Sequence, residues 1–193
     1  MTQKYILILF IGYLPLYLVL LMYLKTKIQG YSMRDHMVSY LATSHEPWRS
    51  IFNASTVLYG GLSLIVPITL NKMLGTDRLV ALGAASLLAA GTSTVLIGFF
   101  PMDRKLRIHN LIGFFAFLSV LLTGVVFSAI FYQGILFSPL MELINLVVIG
   151  TTVLLGISLL LRRQESSFLE WLSVLFTIGW NFLLAVLLLI QIH

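Results

Sequence analysis

Twenty consecutive residues, Tyr5 to Leu24, contain no Asp, Glu, Lys or Arg. At 1.5 Å per helical residue, a run of that length matches the ~30 Å hydrocarbon core of a bilayer. Five more apolar runs follow, at about Trp48–Leu70, Leu79–Phe100, Ile108–Phe131, Leu140–Leu161 and Phe168–Ile190. Lipid supplies no hydrogen bonds to an exposed backbone, so such runs cross it as helices. The fold class that follows is all-α: a polytopic membrane protein, a compact six-transmembrane-helix bundle, with residues 1–193 as one domain.

Composition excludes most other classes. Charged residues make up 10% of the chain and mean hydropathy is +1.00, against about a quarter charged in soluble domains. Cysteine is absent, which removes disulfides, thiol catalysis and cysteine-ligated metals. The net charge of +5 comes from residues placed between apolar runs rather than in an extended basic arm. The lipid bilayer is therefore the expected partner, and nucleic acid is not. The first run lacks a small-residue cleavage site and ends in Lys25-Thr26-Lys27, so it reads as a retained anchor rather than a signal peptide.

Basic residues fall unevenly on the two sides. Lys4, Lys72 and Arg78 occupy one side, and nine occupy the other: Lys25, Lys27, Arg34, Arg49, Arg104, Lys105, Arg107, Arg162 and Arg163. The positive-inside rule places the nine in the cytoplasm and both termini outside the cytoplasmic membrane. Glycines at Gly60-Gly61, Gly91, Gly98, Gly113, Gly124, Gly150, Gly156 and Gly179 predict closely approaching helices. Pro15 and Pro67 are expected to kink the first and second spans. The first three spans do not repeat in the last three, which argues against an inverted-repeat transporter.

The connection over residues 25–47 is long enough to suggest function. Within "YSMRDHMVSYLA", apolar Met33, Met37, Tyr40 and Leu41 recur at helical spacing, and Ser32 with Asp35 resembles a capping box. A short amphipathic helix is predicted there, on the interface or folded back over the bundle. Trp48 is the expected interfacial anchor. The sequon Asn53-Ala54-Ser55 is discounted because it falls inside a span on the predicted cytoplasmic side.

Polar residues gather on the basic side: His36, His45, His109, Asp35, Glu46, Asp103, Glu165 and Glu170, against Asp77, Glu142 and His193 opposite. In "GFFPMDRKLRIHN", Pro101 stops one span, Asp103 flanks the start of the next, and the basic residues set topology. His109 has no such role, and an inward polar group at membrane depth is a site candidate. The candidate polar site is His109, Asp103, Ser39, His36, His45, Glu46, Asn53 and Glu170. Of these, His109, His36, His45 and Asp103 are residue types that bind metal. No histidine pair has the i, i+4 spacing of a helical metal motif, so no metal set is assigned and no cofactor is expected.

The stretches "YSMRDHMVSYLA", "PWRSIFNASTVLYGG" and "GFFPMD" with the following "HN" resemble the bacterial and archaeal membrane family called domain of unknown function 998. The resemblance is carried by Tyr31, Ser39, Leu41, Phe52, Asn53, Phe100, Pro101 and His109, and covers about Gly30–Gly113; Arg34 falls one place early for the pattern. It implies a bundle of about six helices in a membrane and no particular reaction.

For function, the reading that demands least is a protein binding a lipid, a small molecule or a partner at a polar vestibule on the basic side. A membrane-embedded hydrolase, using Ser39 or Ser44 with His36, His45, His109 and Asp103, is the alternative. A small transporter or channel subunit is a third, and the composition is compatible with a homo-oligomer. Bis-histidine haem ligation is disfavoured, because only His109 is placed in a span.

Overall fold

Among the described residues, six helical spans are long and apolar enough to cross a membrane. A computed structural model describes residues 2–191 apart from 44, 76, 103, 104, 137 and 162–164. The α-helices are α1 Thr2–Leu24, α2 Trp48–Ser63, α3 Ile65–Leu74, α4 Arg78–Phe99, α5 Leu106–Tyr132, α6 Pro139–Leu160 and α7 Ser166–Gln191. The second apolar run supplies both α2 and α3. Pro67 explains the break between them: it has no N–H for the Ser63 carbonyl, and its ring crowds that carbonyl. Leu64 turns the chain with a tighter bond from its N–H to Gly61 C=O at 3.4 Å. Pro15, by contrast, lies inside an unbroken α1.

The two acids on the less basic side start helices. Asp77 accepts from the N–H groups of Leu79 and Val80 at 2.8 and 3.2 Å, capping α4. Ser138 caps α6 through Met141 N–H at 3.4 Å, with Pro139 in the first turn and Glu142 beside it, where a negative charge complements the helix dipole.

The spans pack in chain order around a ring: α1 against α2, α2 and α3 against α4, then α4, α5, α6 and α7, with α7 returning to α1. The kink at Leu64 sends α3 inward to touch α7 as well. Leu9, Leu16 and Val19 of α1 and Leu143, Leu146 and Leu154 of α6 are among the side chains left exposed, as suits a lipid-facing surface.

Glycine packing is concentrated where α2 crosses α4. A Cβ at Gly60 would lie 2.7 Å from Val95 N, one at Gly91 2.7 Å from Ser63 Oγ, and one at Gly98 2.6 Å from Val57 Cγ2. Gly124 meets Ile149 in the same way at 2.5 Å. The close-approach expectation fails at Gly61, Gly113, Gly150, Gly156 and Gly179, where an added Cβ meets nothing within 4 Å.

The first loop differs from the predicted amphipathic α-helix. Residues 28–37 form turns, and the helical part is a 3-10 segment, Val38–Thr43. Ser32 makes a local turn instead of a capping box: its Oγ accepts from Arg34 N–H at 3.2 Å, and its carbonyl accepts from Asp35 and His36 N–H. Such side-chain bonds compete with helix formation. Val38, Leu41 and Ala42 are buried, and the segment packs against α2 and α7, so it folds back into the bundle.

Candidate functional site

A half-open cavity of about 700 Å³ lies between α2, α4, α5, α6 and α7. Its wall is largely aliphatic and aromatic, with polar residues toward both ends. One end, on the loop-one side, is lined by Ser39, His109, Asn110 and Glu170. The other end is lined by Tyr59, Thr123, Asn145, Trp180 and Asn181. Glu170 and Asn181 lie eleven residues apart on α7, a distance of ~16 Å along a helix axis.

At the first end, His109, Glu170 and Ser39 each have a local anchor. His109, 5% exposed, places Nδ1 2.9 Å from the Phe100 carbonyl oxygen. A carbonyl only accepts, so Nδ1 carries the proton, and in the neutral ring Nε2 is left as an acceptor. The bond also secures the end of α4, a role for His109 that its position in the sequence did not disclose. Glu170 faces the backbone N–H groups of Ser39 and Val38 at the start of the 3-10 segment. A carboxyl group there satisfies donors that the turn itself leaves free. Ser39 Oγ donates to Met102 Sδ at 3.7 Å, linking the first and third loops.

Beside Glu170, the fully buried Trp171 donates its indole N–H to Tyr31 Oη at 2.9 Å. Tyr31 in turn donates to the Met37 carbonyl at 2.9 Å, with the His36 carbonyl 3.3 Å away. Burial pushes the Tyr31 hydroxyl above its ordinary value of 10.0, because the phenolate is the form that desolvation disfavours. The His36 ring stacks on Tyr31 at 5.3 Å and meets Tyr40 at 4.5 Å, while its Nδ1 accepts from Ser32 N–H at 3.3 Å.

The predicted site residues therefore separate. Ser39, His109 and Glu170 line the cavity together. His36 belongs to the aromatic stack of the first loop, and His45 is exposed. Glu46 is exposed and pairs with Arg49 at 2.7 Å; hydrogen bonds from Ser50, then Arg49, hold its carboxyl below the ordinary carboxylate range. Asn53 is half-buried under the α2–α4 crossing, its Oδ1 without a partner among the described residues. Asp103 lies outside the described residues, as do Ser44, Arg104, Arg162, Arg163 and His193. Among the described residues, no three His, Asp or Glu side chains converge as metal ligands would.

Sequence reasoning missed the other end. Asn145 donates to Gly124 C=O and Ser128 Oγ, both at 2.9 Å. Asn181 donates to Tyr59 Oη at 3.1 Å, Thr152 and Ser173 pair at 3.1 Å, and Thr123 donates to Ser86 Oγ at 2.9 Å. Asn145 and Asn181 within otherwise apolar runs were the available signal, since an amide at membrane depth needs partners.

A model of the family described as Protein of unknown function (DUF998) matches residues 12–187, nearly the whole chain. The chain belongs to this family. Comparison with curated proteins and with solved structures found no match. In this DUF998 chain, the positions that carry the sequence resemblance gather around one rim of the cavity. Ser39, Phe52 and His109 line it, the Phe100 carbonyl holds His109, Leu41 is buried in the 3-10 segment, and Tyr31 ties the first loop to α7.

Proposed function

We propose that this protein binds a single-chain amphiphile inside the membrane, its polar head at the Ser39–His109–Glu170 end and its chain along α5 and α6. The observation that carries this reading is the cavity: about 700 Å³ within a ring of transmembrane helices, in the range of about 300–1,000 Å³ that small-molecule sites occupy. Phe114, Leu118 and Leu159 line it and remain 62%, 47% and 46% exposed, which supports access for an apolar chain. The acceptor left on His109 favours a head that donates hydrogen bonds, and the carboxyl of Glu170 disfavours an anionic one. An uncharged hydroxyl-bearing head fits both. Ser39 turns to Met102 rather than to a base, so binding is preferred to hydrolysis. The excess of basic residues in the first, third and fifth loops supports a cytoplasmic position for the head end in the cell membrane.

Saturable binding of radiolabelled monolauroylglycerol to the purified protein in nanodiscs tests this. Gly113→Leu and Gly156→Leu put bulk into open space on the cavity wall, so each is expected to fold and to weaken binding by at least about tenfold. Binding that neither variant changes would place the amphiphile elsewhere.

A further inference from the structure

The wall of the cavity is not equally covered all round. Phe52 of α2, Leu87 of α4, and Val148 and Leu155 of α6 line it and are between 1% and 8% exposed, so facing the cavity does not by itself expose a side chain. The lining residues that are exposed are Leu106, Asn110, Phe114 and Leu118 of α5, with Gly156 and Leu159 of α6. Those of α2, α4 and α7 are buried or half-buried. The four on α5 recur every four residues, a spacing that keeps them in one stripe along the helix. Exposed residues that also line a cavity mark its mouth, and this mouth lies between α5 and α6.

The seam between these two helices is shut at the end away from loop one. Asn145 of α6 donates to Gly124 C=O and Ser128 Oγ of α5, both at 2.9 Å, and a Cβ at Gly124 would lie 2.5 Å from Ile149 Cγ1. Toward loop one the glycines are unfilled: a Cβ added at Gly113 or Gly156 meets nothing within 4 Å. The mouth is therefore a slot closed at one end. It begins at Leu106, the first residue of α5, and reaches Leu118, twelve residues on, which is ~18 Å along the axis. Half of the ~30 Å hydrocarbon core is ~15 Å. The slot thus spans the leaflet on the loop-one side and stops near the middle of the bilayer.

We infer that the guest enters and leaves sideways through this slot, exchanging with the leaflet on the loop-one side. The inference rests on the binding reading above and adds the source of the ligand, which is the lipid of one leaflet rather than water or the opposite leaflet. Phe114, Leu118 and Leu159 give the slot apolar edges, and Asn110 is polar near the end where a head passes. An amphiphile lying in that leaflet already has its chain alongside the slot and its head level with His109, the neighbour of Asn110 in the chain. It moves in without turning over. Its chain never crosses water, a passage that the hydrophobic effect opposes.

The rates at which radiolabelled monolauroylglycerol binds to and leaves the full chain in nanodiscs provide the test. Leu118→Trp and Leu159→Trp each put a bulky ring at the slot, whereas Val125→Trp and Leu143→Trp put one on exposed positions of the same helices beyond its closed end. Each slot variant is expected to slow both association and release by at least about tenfold, because every passing guest must force the ring aside. The other pair should leave both rates within about twofold of the unaltered protein. Unchanged rates in the slot variants, or equal slowing in all four, overturns the slot and leaves the binding reading standing. Weaker binding without slower release does the same, since it makes Leu118 and Leu159 wall residues alone. Absence of saturable binding by the unaltered protein overturns both. If one slot variant does not fold, the other decides.

Discussion

Trp171 and Tyr31 are 140 positions apart in sequence and joined by a 2.9 Å hydrogen bond from indole N–H to phenol oxygen. Through this bond α7 holds the first loop against the bundle, and with it Ser39 and the 3-10 segment at the cavity rim. Because the chain has no cysteine, Ser39→Cys supplies a single thiol that reports on the loop. Adding Tyr31→Phe removes the bonds to Met37 and from Trp171, about 1 kcal/mol of net stabilisation. Thiol labelling is expected to accelerate about threefold to tenfold. An unchanged rate would show that the loop is held by other contacts.

The same hydroxyl makes the docked loop sensitive to alkali. Its value in the folded protein is raised above the ordinary 10.0, so the docked loop keeps a proton that a released loop gives up. The stabilisation is complete below the ordinary value and is lost as pH climbs from there toward the raised one. Labelling of Ser39→Cys with a methanethiosulfonate, corrected for the rate of a free thiol, should therefore rise as pH passes 10.0. In the Tyr31→Phe background the loop's own contribution to that rise should vanish.

Glycines divide by what surrounds them. Gly60→Ala forces a methyl group against the backbone of Val95 and Gly91, so it should lower stability by about 1–3 kcal/mol. Gly113→Ala, which meets nothing within 4 Å, should change the melting temperature little. Equal losses at the two positions in a detergent melt would contradict the crossing of α2 on α4.

The polar pairs deep in the bundle are expected to contribute modestly. Asn181→Leu removes the bond to Tyr59, and such bonds in membrane proteins average about 0.6 kcal/mol. Unfolding in mixed micelles should show a loss of that order. A loss of several kcal/mol would mean that Asn181 supports more than one neighbour.

The six spans were legible because each apolar run carries its own signal, independent of its neighbours. Contacts between distant segments were not. Pro67 advertised a bend, but only the packed ring shows that the bend turns α3 toward α7. Apolar spacing in the first loop suggested an α-helix; the local bonds of Ser32 and the burial of Val38, Leu41 and Ala42 make a short 3-10 segment instead. His109, Ser39 and Glu170 could be picked out as polar groups near the ends of their segments. His36 and His45 share their side in sequence but face other surroundings, because side in the membrane does not determine direction toward the cavity. The bonds of Asn145 to α5 and of Asn181 to α2 require the register of one helix on another, which no single run contains.

Closing the ring by α7 has a consequence for how the chain is made. Membrane helices are delivered in sequence order, and α7 brings the partners of groups already inserted: Trp171 for Tyr31, Asn181 for Tyr59 and Ser173 for Thr152. Until it arrives, those groups lack these bonds, and the cavity lacks the wall that α7 forms. A chain stopped before α7 is thus an open ring, in which Tyr31, Tyr59 and Thr152 lack the partners that α7 supplies.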